Sequence, residues 1–129
     1  MSEWSRPRLP RMLLRTLSAL LTICTLVQFF IAGMAATTDP GWWTYHSDWV
    51  AILQWLVVSL PILAWLGLSC SWTAHPVCMH PLLQIALQYV LMSSHRPIEG
   101  RLAIGLGLHA LDAELLLLIA AGLAAGLFD

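Results

Sequence analysis

Apolar residues fill four long runs of this chain, and clusters of polar, Pro and Gly residues separate them. The first run, Thr16 to Ala36, carries nothing more polar than Ser18, Thr22, Thr25 and Gln28. A bilayer span needs about 20 residues, so this run is long enough to cross. It predicts a helix over residues 12–36, ended by Asp39-Pro40-Gly41, where Pro forbids continuation and Gly frees the backbone. A second helix is expected over 48–68, with Ser47 or Asp48 as its N-cap. Pro61 falls inside it and reads as a kink, because apolar sequence continues on both sides and bilayer helices tolerate Pro. The third helix, 81–94, is short, opens on Pro81 and carries Gln84 and Gln88, so neighbours must shield it. The fourth covers 102–128, and as a continuous helix it is about 40 Å long at 1.5 Å per residue, more than the core of a bilayer. Either it tilts, or its first turns lie in the interface, where Gly105 and Gly107 weaken the helix.

Composition sets the class. Charged residues make up 10% of the 129, against about 25% in soluble domains, and 59% are hydrophobic. That is too little polar surface to coat a water-soluble globule. The expected fold is therefore an all-α integral membrane protein: one domain over 1–129, an up-down bundle of four transmembrane helices. The basic start, apolar run and small residues near Gly33 to Ala36 also suit a signal peptide, but the length of the run favours a retained first helix. A net charge of −1 gives no reason to expect nucleic-acid binding, and three scattered cysteines make no disulfide scaffold.

Arginine placement gives an orientation. Arg6, Arg8, Arg11 and Arg15 precede or open the first helix, so both termini are expected on the cytoplasmic side, in a bacterial inner membrane. Arg96 and Arg101 fall on the outer side and run against this rule. Trp42, Trp43 and Trp49 suit an outer aromatic belt, and Trp72 an inner one.

The segment 26–32 resembles 82–88, and each is followed by a loop, a histidine (His46, His109) and an apolar helix. The chain thus reads as two copies of a helix–loop–helix unit. In an up-down bundle, helices 2 and 4 sit across a diagonal and run the same way. His46 and His109 each precede roughly 20 residues of span, so both fall at one depth, facing one another. That is the arrangement two axial imidazoles need to hold a b-type haem iron. A chlorophyll-type pigment, whose magnesium also accepts histidine, is an alternative, and so are two ordinary interfacial histidines.

Other residues surround this pair. His80, Gln84, Gln88 and His95 form a polar stripe along helix 3 that should face the bundle, either hydrogen-bonding a cofactor's edge, with His95 as an alternative ligand, or simply bonding between helices. Asp112 follows His109 by three residues, shares its face, and suits a hydrogen bond that fixes the imidazole tautomer; Glu114 points elsewhere. Cys70, His75, Cys78 and His80 lack the regular spacing of a zinc site, so no protein-only metal centre is expected. Cys24 reads as packing. Gly122 and Gly126 make a GxxxG motif suited to close helix contact, within the chain or by self-association.

Gln28 with Ala32-Gly33, His46, Leu82-Leu83-Gln84 and Leu108-His109-Ala110 together resemble one four-helix half of haem A synthase. They are also similar to small uncharacterised four-helix bacterial membrane proteins with the same rhythm of Gln and His. The likeness spans almost the whole chain. For the synthase it implies a haem gripped by histidines on the second and fourth helices, here His46 and His109. Two departures limit it. Only one half is present, and Trp43 stands where the synthase's substrate half has a glutamate. The resemblance thus implies a haem-binding bundle and not the synthase reaction.

The expected function is an accessory subunit of a larger membrane complex, redox or photosynthetic, holding a b-type haem. A cofactor-free structural or assembly subunit is the alternative. No Ser/His/Asp set, phosphate-cradling glycine loop or HExxH is present, so the chain does not read as an independent enzyme. The bilayer and other membrane subunits are the expected partners.

Overall fold

The computed structural model describes residues 8–65, 75–93 and 101–127. It contains four helices: α1 (Arg8–Thr37), α2 (Trp42–Trp65), α3 (His75–Ser93) and α4 (Arg101–Ala125). Each helix packs on its neighbours in the cycle α1–α2–α3–α4, and the pairs α1/α3 and α2/α4 lie across the diagonals. This is an all-α up-down bundle. Its outer surface is apolar: Trp55 is 71% exposed and Leu118 67%. Three helices are long and apolar enough to cross a bilayer, over Arg11–Thr37, Trp42–Leu63 and Leu108–Ala125, and α3 adds a shorter apolar stretch, Pro76–Leu91. An apolar coat facing outward is what lipid, not water, stabilises.

The inner seam follows heptad spacing, which keeps one stripe of each helix facing its partners. On α1 the buried positions are Leu14, Ser18, Leu21 and Thr25, and Gln28 comes next. On α2, Leu53, Val57 and Leu60 are buried, and His46 lies one heptad before Leu53. On α3 the stripe is Cys78, Pro81, Gln84 and Ile85, then Gln88; on α4 it is His109, Asp112, Leu116, Ala120 and Leu123. The seam is therefore apolar towards the α1 N-terminus and polar towards the other end. Thr25 and Thr22 return their hydroxyl protons to the carbonyls of Leu21 and Ser18, both at 2.8 Å, and so stay compatible with the apolar half.

Several helix ends differ from the sequence expectation. α2 begins at Trp42 rather than residue 48. Asp39 Oδ1 accepts the Gly41 N–H at 2.8 Å and the Asp39 carbonyl accepts from Trp42 at 3.1 Å, so an Asx turn starts the helix directly after the break. Ser47, expected as a cap, lies inside the helix and donates to the Trp43 carbonyl at 3.1 Å. α3 begins at His75, so Pro81 is an interior residue and not the first. The helix survives it because Pro removes one backbone bond, and lipid-embedded helices find local substitutes. Pro61 likewise sits inside a continuous α2, as expected. The expected ends at 68 and 94 lie outside the described residues.

α4 stops at Ala125 because Gly126 adopts a left-handed φ of 73°. Leu127 N donates to Gly122 O at 3.0 Å and Gly126 N to Leu123 O at 3.1 Å, the two bonds of a Schellman cap. The Arg15 guanidinium lies against Gly126, in the space a Cβ would need. A cation at a helix C-terminus is electrostatically favourable. The contact also places the start of α1 and the end of α4 on one side of the bundle. Gly122 is buried within the chain's own bundle, and Gly126 forms the C-terminal cap.

Candidate functional site

The polar end of the seam gathers side chains from all four helices. His46 sits in the second turn of α2 because the Asp39 turn starts that helix early, and this brings its ring inward at the level of the α4 histidine. The rings of His46 and His109 face one another across the diagonal, with centroids 6.4 Å apart and planes at 65°. The edge-to-face partner of His46 on its own helix is Trp43, at 5.3 Å and 80°.

Gln28, from α1, closes over His46. Its Nε2 lies 2.9 Å from Nδ1, 3.1 Å from Nε2 and 3.2 Å from the backbone carbonyl of His46. Its Oε1 is buried with no hydrogen-bond partner among the described residues. This contact is not evident from helix patterning. The available signal was a single amide on the inner stripe of an otherwise apolar helix. Trp49, expected in an aromatic belt, is half-buried and donates its indole N–H to the Cys24 carbonyl at 2.9 Å, tying α2 to α1 beside the site.

On the other side of the site, Asp112 is buried and lies within electrostatic reach of His109, three residues before it. The Gln88 side chain approaches the Asp112 carboxyl. The approach is looser than a full hydrogen bond: Gln88 Nε2 and Asp112 Oδ2 are both buried and unmatched among the described residues, as is Gln84 Oε1. A buried polar atom without a partner costs about 1–3 kcal/mol, so the arrangement keeps hydrogen-bonding capacity at the expense of stability.

The expected helix 3 stripe divides. Gln84 and Gln88 turn inward, but His80 is exposed, its Nδ1–H bonded to the Pro76 carbonyl at 3.0 Å. Each step of four residues rotates about 40° beyond a full turn, so a stripe at that spacing winds off the inner face. His95 lies outside the described residues, as does Cys70. Cys78 is in the core while His80 faces out, and among the described residues no three His, Cys, Asp or Glu side chains converge on a point. Glu114 is exposed near the midpoint of α4.

The dimensions suit a shared metal. A metal–imidazole bond is about 2 Å, and a ring nitrogen lies about 1 Å from its centroid, so two imidazoles on one iron stand about 6 Å apart, centroid to centroid. The angle between the planes is unconstrained by ligation, since each ring can turn about its metal–nitrogen axis. Two side-chain donors leave four positions for a tetrapyrrole.

The fold and site together define a four-helix membrane bundle with a histidine pair facing across its polar end. The model of a family of unknown function, DUF6220, matches residues 28–95, just over half of the chain, and the chain belongs to that family. The match runs from Gln28 through His46 and both core glutamines, and stops before His109. No curated protein and no solved structure matches the chain.

Proposed function

We propose that this chain is a membrane subunit that holds a b-type haem between His46 and His109 and serves a larger redox or photosynthetic complex. The observation that carries the reading is the 6.4 Å separation of the two rings, brought together from helices at opposite corners of the bundle. A haem bound there supplies one-electron transfer. The chain's own residues do the rest. His46 and His109 would ligate the haem. Asp112, buried one turn along α4 and within electrostatic reach of His109, would accept the imidazole's second N–H and so fix which nitrogen faces the metal; in the bundle itself His109 Nδ1 and Asp112 Oδ2 are both buried and unmatched among the described residues. Gln84 and Gln88 offer hydrogen bonds to polar groups at the cofactor's edge. The apolar half of the seam excludes water from below. In this reading both termini face the cytoplasm of a bacterium, with Arg11 and Arg15 at that surface.

The accessory role draws on a separate observation, the exposed Glu114 near the middle of α4. A carboxyl facing hydrocarbon is costly, and it is accommodated when a neighbouring transmembrane helix supplies a donor or cation. The apolar span of α4, Leu108–Ala125, contains no arginine and the chain has no lysine, so a helix of a neighbouring protein would be a fitting source of the complementary group.

The test is an absorption spectrum of the detergent-purified protein, oxidised and then reduced. A Soret band with visible bands that sharpen on reduction, lost in His109→Ala without loss of folding, is the expected result. A far-red band insensitive to reductant would assign the pair to a chlorophyll-type pigment instead. A featureless spectrum after haem titration would leave only the cofactor-free assembly subunit.

A further inference from the structure

Gln28 contacts His46 in an unusual way. An amide nitrogen 2.9 Å from one ring nitrogen and 3.1 Å from the other cannot lie in the ring plane, because Cε1 and its hydrogen stand between the two in-plane directions. The Gln28 Nε2 therefore lies over the face of the imidazole. Which end of the amide points there is settled by its third neighbour. The backbone carbonyl of His46, 3.2 Å away, can only accept, so the facing atom must be the N–H donor. The other end, Oε1, is buried without a partner among the described residues, so the amide is held in place by its nitrogen alone.

We infer that Gln28 is a positioning residue for His46: anchored on that residue's own carbonyl, its amide lies across the imidazole face and holds the ring in one orientation opposite His109. The anchor matters because a helix carbonyl is fixed to the backbone, so the amide keeps one height over the ring. Trp43 closes a second side at 5.3 Å. With one face covered and one edge blocked, the ring cannot rotate freely about χ2. Among the described residues no other group bonds either ring nitrogen, which leaves one in-plane direction for a proton and one for a ligand. An N–H over an aromatic face is weak by itself. In a membrane interior it competes with no water, and the carbonyl bond adds to it. The inference rests on the haem reading for its purpose but not for its geometry.

The experiment uses the full chain and the variants Gln28→Leu and Gln28→Met. Both replace the amide with an apolar side chain of similar size and keep a helix-favouring residue, so insertion and folding are preserved. First, the histidine 15N resonances of the cofactor-free protein are recorded, with His46 assigned by its loss in His46→Ala. The wild type should give one His46 environment, and both variants should give several or an exchange-broadened signal, while exposed His80 stays unchanged. Second, haem is titrated. Affinity should fall about ten- to a hundredfold in the variants, as when outer partners of a metal-binding histidine are removed, and the ferric low-spin electron paramagnetic resonance signal should shift or broaden. An unchanged His46 resonance in both variants would overturn the positioning role whether or not haem binds. A changed His46 resonance in the variants, in a protein whose wild type takes no haem, would keep the positioning role and overturn the haem reading.

Discussion

The imidazole of His46 stands 6.4 Å from that of His109, with the planes turned 65° from each other, although α2 and α4 occupy opposite corners of the bundle. Contact between diagonal helices requires side chains that reach the axis from both sides, and the inner seam supplies them at matching depth.

The ring angle predicts a spectroscopic class. Ferric iron held by two imidazoles far from coplanar has nearly degenerate lower d orbitals, which gives a strongly anisotropic low-spin signal. The haem-loaded protein should show one very low-field feature at liquid-helium temperature. A well-resolved rhombic signal would mean parallel rings.

Asp112 sets stability against ligation. Replacing this buried carboxyl with leucine removes an unmatched polar atom, and Asp112→Leu should stabilise the cofactor-free bundle by about 1 kcal/mol in denaturant titration from mixed micelles. The same change should weaken haem binding about tenfold or more, through loss of the carboxyl available to the second N–H of a ligating His109. Asp112→Asn, which retains an acceptor, should fall between the two.

The Asp39 turn decides where α2 begins. Asp39→Ala deletes the 2.8 Å bond from Gly41 N and should cost about 1 kcal/mol, read as a lower unfolding midpoint. His46 lies early in the same helix, so the variant should also broaden its NMR signal, whereas Asp39→Asn should preserve both.

Gly126 ends α4 in a conformation that L-residues adopt at a cost of about 1–2 kcal/mol, and its missing side chain makes room for Arg15. Gly126→Val should destabilise by at least that amount, because backbone strain and displacement of the guanidinium add. Arg15→Gln should cost less than 1 kcal/mol, the usual worth of a cation at a helix C-terminus.

Glu114 is exposed, so Glu114→Leu should leave the unfolding midpoint of the isolated chain within about 0.5 kcal/mol of wild type. In native membranes the same variant should co-purify less of its partner subunit. Unchanged recovery of a larger assembly would place the docking face elsewhere.

Much of the architecture was legible in the sequence. Four apolar runs and three breaks give four helices, and the positions of His46 and His109 ahead of comparable spans imply their meeting across the diagonal. What was missed has local causes. The start of α2 depends on an Asx turn at Asp39, and the polar run Thr44 to Asp48 masks it by resembling a loop. The role of Gln28 depends on the height of α1 against α2, a relation between helices that no single helix pattern encodes. Gly126 fitted a packing motif by spacing, but a left-handed φ is invisible until the helix end is placed. His80 matched a stripe by counting in fours, which ignores the drift of that step around the helix.

The polar layer is off-centre: His46 lies about 6 Å, and His109 about 12 Å, from the starts of their helices at 1.5 Å per residue. Charge delivered to this layer from the nearer surface crosses only a minor part of the membrane's electric field. A full crossing is worth about 2.3 kcal/mol per elementary charge for every 100 mV. Electron entry from that surface would thus feel the smaller share of the membrane voltage, and exchange with the opposite surface the larger.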